Sequence, residues 1–217
     1  MEAKKKLKID VYTDVICPWC WLGKRRLEKA LEAVPGVEAE LHYLPYELRP
    51  DTPEEGLDRV KYLKAKYGAG IETMDARISG FGKEVGLDYH FEKAAKIPNT
   101  FNAHRVIWLA GQNGVQQPVT EALHEAYFSQ GKDIGDKKVL AEIAAGAGLN
   151  QGEVERFLNS DEGVQEVREL EEKGHNLGIS GVPFFVFDPF DGAQGGRKTA
   201  LSGAHPVETF VSILKEQ

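Results

Sequence analysis

Two cysteines are all that 217 residues contain, too few for the stapled framework of a small secreted domain. No stretch approaches the roughly 18 consecutive apolar residues of a membrane span, so no membrane partner is expected. Met1 to Lys8 is basic, but neither an apolar segment nor a small-residue cleavage site follows it. The expected location is therefore the cytoplasm. Positive charge is in deficit: 27 Lys and Arg stand against 34 Asp and Glu, a net charge of −7 that argues against nucleic acid as a partner. A second cysteine pair is missing, and the six histidines, at 42, 90, 104, 124, 175 and 205, are scattered. Structural zinc wants four Cys or His ligands in two clusters, so no metal is expected. There is no strict internal repeat and no low-complexity segment. The remainder is an ordinary globular composition, 41% hydrophobic and 28% charged, long enough for one domain with an insertion or two small ones.

The two cysteines that are present sit three apart, in Cys17-Pro18-Trp19-Cys20. Before them Leu7, Ile9 and Val11 alternate with Lys8, Asp10 and Tyr12, which predicts a strand over 7–13. After them Leu27, Ala30, Leu31 and Val34 recur at helical spacing, with Pro18 suited to the first helical position and Pro35-Gly36 as the stop. Val37, Ala39, Leu41 and Tyr43 alternate in a second strand that ends at Pro45. This is a β-α-β unit, and a right-handed crossover makes its strands parallel. From 53 to about 178 the pattern is helical, with segments at 53–67, 70–86, from Asn99-Thr100 to Gly111, 118–130, 136–147, 150–159 and 161–177, and a loop at 89–99. Thr52 is read as the cap of the first of these. Strand character returns at 183–188, a Gly-rich loop follows at 189–197, and 198–202 closes a hairpin. Pro206 opens a terminal helix. The expected organisation is β-α-β, a helical block, then β-β-α, with the block lying over the sheet as a lid or second domain.

A thiolate, not a thiol, attacks a disulfide. Cys17 at a helix N-terminus would have its negative charge stabilised by unpaired N–H groups and the helix dipole. Cys20, one turn on, is placed to resolve a mixed disulfide or to close an internal one, and should be the less exposed of the two. Asp14 has two readings, opposing thiolate formation from close by or accepting a proton from Cys20. Trp19 and Trp21 flank Cys20; Trp19 is the better candidate for an exposed substrate patch and Trp21 for packing under the helical block.

Several stretches together resemble the DsbA superfamily of thioredoxin-fold proteins, most closely its FrnE-like branch of dithiol-disulfide isomerases and DsbA-family oxidoreductases. They are Asp14 to Gly23, Pro45 to Pro50, Asn99-Thr100 with Ala103-His104-Arg105, Ala126 to Phe128, Gly181-Val182-Pro183-Phe184-Phe185 and Ser202 to Ala204. The resemblance implies an α/β, thioredoxin-like fold interrupted by an all-helical insertion domain, divided as 1–52, 53–178 and 179–217. It implies Cys17 as nucleophile, Cys20 as resolving cysteine and a cis Val182–Pro183 bond beside them. Pro18 and Trp19, inside the motif, are candidates to line the site, and the resemblance implies a groove between the domains that receives a peptide or small thiol. Asn99 and His104 match the family motif and would face that groove; their plainer roles are capping and packing. The implied enzyme is a thiol-disulfide oxidoreductase or isomerase acting on protein or small-molecule disulfides, with a redox-active Cys17–Cys20 pair, no other cofactor, and glutathione as a reductant. A monomer or homodimer is expected, on base rates alone. The alternatives are a glutathione-dependent isomerase or transferase of the kappa-like branch, which uses serine in place of Cys17, and a non-catalytic redox sensor or peptide-binding protein.

Overall fold

The computed structural model describes residues 5–189 and 198–216. The loop expected at 189–197 falls, apart from Pro189, outside the described residues. The chain opens with β1 (Lys5–Thr13), α1 (Pro18–Ala33) and β2 (Val37–Pro45). β1 and β2 pair in parallel, Lys5 opposite Val37 through Thr13 opposite Pro45. At the other end of the chain come β5 (Phe184–Pro189), β6 (Thr199–Ser202) and α9 (Val207–Glu216). β5 runs antiparallel to both β1 and β6, so the sheet order is β2-β1-β5-β6.

The period-2 patterns decide which face is which. Leu7, Ile9 and Val11 of β1 and Phe185 and Phe187 of β5 are all buried in the main core. Phe210 of α9 meets Phe185 edge-on at 5.0 Å, and α1 packs beside α9. Gly23 lets α1 come down close to the sheet, since a Cβ there would stand 3.1 Å from both Phe185 and Pro183. Tyr12 points to the opposite face, into a cluster with Tyr46 and Ile179 and against Gly174.

Between β2 and β5 the chain forms β3 (Leu57–Asp58), α2 (Arg59–Tyr67), α3 (Ile71–Glu84), β4 (Lys96–Ile97), α4 (Phe101–Gln112), α5 (Gln116–Phe128), α6 (Lys137–Gly146), α7 (Gln151–Leu158) and α8 (Val164–Asn176); α8 packs on the Tyr12 side, and α3 and α5 reach α1. α4, α5 and α8 all contact β2. β2 is an edge strand, and such an edge leaves backbone groups unpaired. The Gln116 side chain answers this: its amide oxygen accepts from Tyr43 N at 2.9 Å and its NH2 donates to Tyr43 O at 3.0 Å.

Two expectations need correction here. The insertion is not all helical, because Leu57–Asp58 and Lys96–Ile97 form a two-residue antiparallel ladder, too short to leave an alternating pattern. The first helix also starts at Arg59, not 53. Gly56 has φ +76, which no α-helix accommodates, and Asp58 rather than Thr52 is the cap, accepting from Lys61 N at 2.7 Å. Thr52 Oγ1 has no hydrogen-bond partner.

Candidate active site

The β1 strand ends at Thr13, and four residues later Cys17 occupies the cap position of α1 in an extended conformation (φ −90, ψ 110). Pro18 takes the first helical position, where no N–H is wanted. Asp14 O accepts from Cys17 N at 3.0 Å, and Cys17 O accepts from Cys20 N at 3.0 Å. Both cysteines are present as thiols. Cys17 is 4% exposed and Cys20 1%, so both are buried and Cys20 is the deeper. Burial pushes the Cys20 thiol well above its ordinary range, and its hydrogen bond with Cys17 adds to this; the Asp14 backbone and the Thr13 side chain pull the other way without prevailing.

Across from Cys17 the chain returns at Val182–Pro183, joined by a cis peptide bond. Cys17 Sγ donates to Val182 O at 3.6 Å. The topology makes this meeting inevitable: β5 is antiparallel to β1, with Tyr12 opposite Phe184, so the start of β5 lies where β1 ends.

The carboxylate of Asp14 is fully buried. Its Oδ2 accepts from Leu48 N at 2.8 Å and its Oδ1 from Ile16 N at 3.4 Å. His104 Nε2 stands 3.5 Å from the same Oδ1. Burial works against a charge on His104, but the Asp14 carboxylate, with Glu47 and Glu171 adding to it, raises its pKa above the ordinary value. Glu47 and Glu171 share Arg168 at 2.6 and 2.7 Å, and burial raises the pKa of Glu47.

Cys17, Pro18, Trp19 and Val182 line one cleft of about 300 Å³. Its other walls include Leu48, Arg49, Arg59, Tyr62, Lys66 and Tyr67. Trp19 is half-buried and leans on Phe81, ring centres 6.1 Å apart. Trp21 is buried instead, against Tyr89 and Phe128 and stacked parallel to His124, with its indole N–H donating to Glu121 at 3.0 Å. Asn99 and His104 do not line this cleft. Asn99 is spent on structure, its NH2 donating to Thr52 O at 2.7 Å and its oxygen accepting from Phe101 N at 3.0 Å. His104 lies buried behind the loop that carries Cys17, against Asp14.

Two participants carry no signal of their own in the sequence. Tyr89 donates from its hydroxyl to Pro18 O at 2.7 Å and so fixes the first turn of α1. Glu121 ties α1 to α5 through Trp21, Lys24 and Arg25. Each is about 70 to 100 residues away along the chain, and only the fold brings them in. Among the described residues no group of three His, Cys, Asp or Glu side chains is placed to hold a metal ion, and no helix is long and apolar enough to cross a membrane.

Comparison with known proteins gives one family and consistent relatives. The family model for the DSBA-like thioredoxin domain matches residues 8–215. A crystal structure described as a probable DsbA oxidoreductase from Streptomyces coelicolor is 32% identical, with a TM-score of 0.85, over 97% of this chain and 89% of that one. The Bacillus subtilis (strain 168) protein YwbO is 27% identical over 96% of each chain. The cytosolic disulfide reductase DsbM from Pseudomonas aeruginosa, solved with GSH, shares the fold at a TM-score of 0.62 and 17% identity, over 97% of this chain and 98% of that one.

Proposed function

This chain belongs to the DSBA-like thioredoxin domain family, and from that premise we propose that it is a thiol-disulfide oxidoreductase in which Cys17 and Cys20 work as a dithiol. The observation that carries the reading is the asymmetry of the pair. Cys17 caps a helix and lines the cleft beside Val182 O, while Cys20 lies beneath it, held as a thiol by burial. In the reductive direction the Cys17 thiolate attacks one sulfur of a substrate disulfide and the other sulfur leaves as a thiolate. Cys20 then loses its proton and attacks Cys17 Sγ, which releases the second substrate thiol and leaves the Cys17–Cys20 disulfide. Two electrons pass to the substrate, and a low-molecular-weight thiol such as glutathione returns them. Isomerisation is the same first step, followed by attack from another substrate thiol in place of Cys20.

The reductive or isomerising direction accords with a cytoplasmic setting, in which a lone cysteine pair stays reduced unless it is turning over. The relative DsbM is described as a cytosolic disulfide reductase and was solved with GSH, which supports both points. The motifs Cys17 to Cys20 and Gly181 to Phe185 support the FrnE-like branch. A retained Cys20 one turn below Cys17 favours dithiol exchange over the monothiol glutathione chemistry of the kappa-like branch.

The test is to react reduced Cys20→Ser and Cys17→Ser proteins with an excess of a protein disulfide such as insulin and to follow adduct mass and turnover. Cys20→Ser should accumulate a covalent mixed disulfide at Cys17 and lose turnover, while Cys17→Ser should form no adduct. Full turnover by Cys20→Ser would overturn dithiol exchange in favour of monothiol chemistry.

A further inference from the structure

The cleft beside Cys17 is basic in a chain that is acidic. Its lining includes Arg49, Arg59 and Lys66 against a single carboxylate, Asp75, whereas the whole chain carries a net charge of −7. Asp75 is already taken, since both its oxygens accept from Arg59 at 2.9 Å. Arg49 and Lys66 have no carboxylate partner among the described residues.

Both of these cations are held in place by aromatic rings rather than by anions. The Arg49 guanidinium lies 3.8 Å from the centre of the Tyr62 ring, a stacking distance that fixes its plane. Its Nε is buried without a hydrogen-bond partner. The Lys66 ammonium stands 5.1 Å from the centre of the Tyr67 ring. Arg49 is also tied to the redox loop: the preceding residue, Leu48, donates its N–H to Asp14, three residues before Cys17. The rim adds apolar surface, with Leu48 and Tyr67 both more than two-fifths exposed. A cleft that brings together a reactive sulfur, two cations without a carboxylate partner and exposed apolar side chains matches a ligand that combines all three complements.

We propose that the cleft selects disulfide-bearing peptide segments that carry an acidic residue beside their cysteine, the carboxylate docking on Arg49 and Lys66 while the sulfur meets Cys17. This rests on the dithiol-exchange reading above and adds a substrate class to it. The apolar lip favours a polypeptide over a small charged disulfide, because a peptide has side chains to set against Leu48 and Tyr67.

The experiment compares reduction of three disulfide peptides of one length that differ only in a Glu, Gln or Lys next to the cysteine, with oxidised glutathione as a fourth substrate. Each cation is expected to contribute about threefold in kcat/KM, so the wild-type protein should prefer the Glu to the Gln peptide by about tenfold at low salt and less at high salt. Most of that preference should lie in KM. Arg49→Gln and Lys66→Gln should each lower the Glu-to-Gln ratio by about threefold, and the double variant should bring it near one. Lys132→Gln, which makes the same change in net charge at an exposed position off the cleft, should leave the ratio as it is. Equal rates for the three peptides would overturn the proposal while leaving dithiol exchange intact. So would a charge preference that survives the double variant, or oxidised glutathione as the only substrate whose KM responds to it. No turnover of any disulfide would overturn both readings.

Discussion

Replacing Glu121 by Gln should loosen the helix that carries the dithiol from the helices that cover it. Glu121 Oε1 accepts from the Trp21 indole at 3.0 Å and from Arg25, and Oε2 accepts from Lys24. The Lys24 side chain is only 3% exposed, so the substitution leaves a buried ammonium with Glu28, at 2.7 Å, as its remaining anion. Burial raises the pKa of Glu121, but Lys24, Trp21 and Arg25 outweigh it and hold the carboxyl at about 2 against the ordinary 4.5. At about 1.4 kcal/mol per pH unit that gap is worth about 3 kcal/mol, and less once the quarter of the carboxylate still in water is allowed for. Breaking a buried pair from one side gives a similar figure, about 3 kcal/mol or more. A carboxylate whose folded pKa is depressed contributes fully above its unfolded value. That contribution is lost as the pH falls from 4.5 through about 2. Melting curves should therefore show Glu121→Gln below the wild type by roughly 5–10 °C at pH 7, with the difference closing as the pH is lowered through that range. Adding Lys24→Met should restore much of the loss, because the stranded charge is its main source. No difference at pH 7, or one that persists undiminished at the acid end, would refute the account.

His124, stacked on Trp21 and Phe128, is buried, and burial lowers its pKa from 6.5 to about 4. It contributes stability as a neutral ring above pH 6.5 that is lost as the pH falls through about 4. Urea midpoints should fall for the wild type between those values and stay level for His124→Phe; parallel slopes would refute it. Arg105 donates its fork to the carbonyls of Phe157, Ser160 and Glu162. Arg105→Lys, with one ammonium for three carbonyls, should cost about 2–3 kcal/mol and speed amide exchange in residues 160–164, with unchanged exchange as the contrary result.

The parts of the fold that were legible in the sequence are those in which local and tertiary demands agree. Leu7-Ile9-Val11 and Val37-Ala39-Leu41-Tyr43 alternate because one face of each strand packs on the core, fully in β1 and partly along β2, and Pro18 and Pro35-Gly36 punctuate the helix between them. Legibility ends where the determining contact is distant or brief. The β3–β4 ladder is only two residues on each side and is fixed by the turn at Gly56, not by periodicity. Thr52 has the chemistry of a cap but no helix begins after it. Asn99 and His104 were recognisable as a motif, but which of their two roles each takes was not: Asn99 bonds Thr52 and Phe101 and His104 lies against Asp14, away from the cleft. Lys24 reads as a surface lysine on a helix, and its burial depends on a carboxylate 97 residues away.

The site itself follows from topology more than from any one residue. β1 and β2 are parallel, so both point their C-terminal ends the same way, and β5, antiparallel to β1, begins at that end. Ligands of open α/β sheets gather at such carboxyl ends, where successive loops diverge. Cys17 follows β1, Leu48 and Arg49 follow β2, and Val182 precedes β5, so the three meet without any being near another in the chain. Asp14 then locks two of the three together. Its backbone carbonyl takes Cys17 N and its carboxylate takes Leu48 N, so the peptide that starts α1 and the peptide that places the cleft arginine share one anchor. The Asp14 carboxylate also accepts from Ile16 N and faces His104, so one buried acid joins the start of α1, the segment after β2 and the helix behind them.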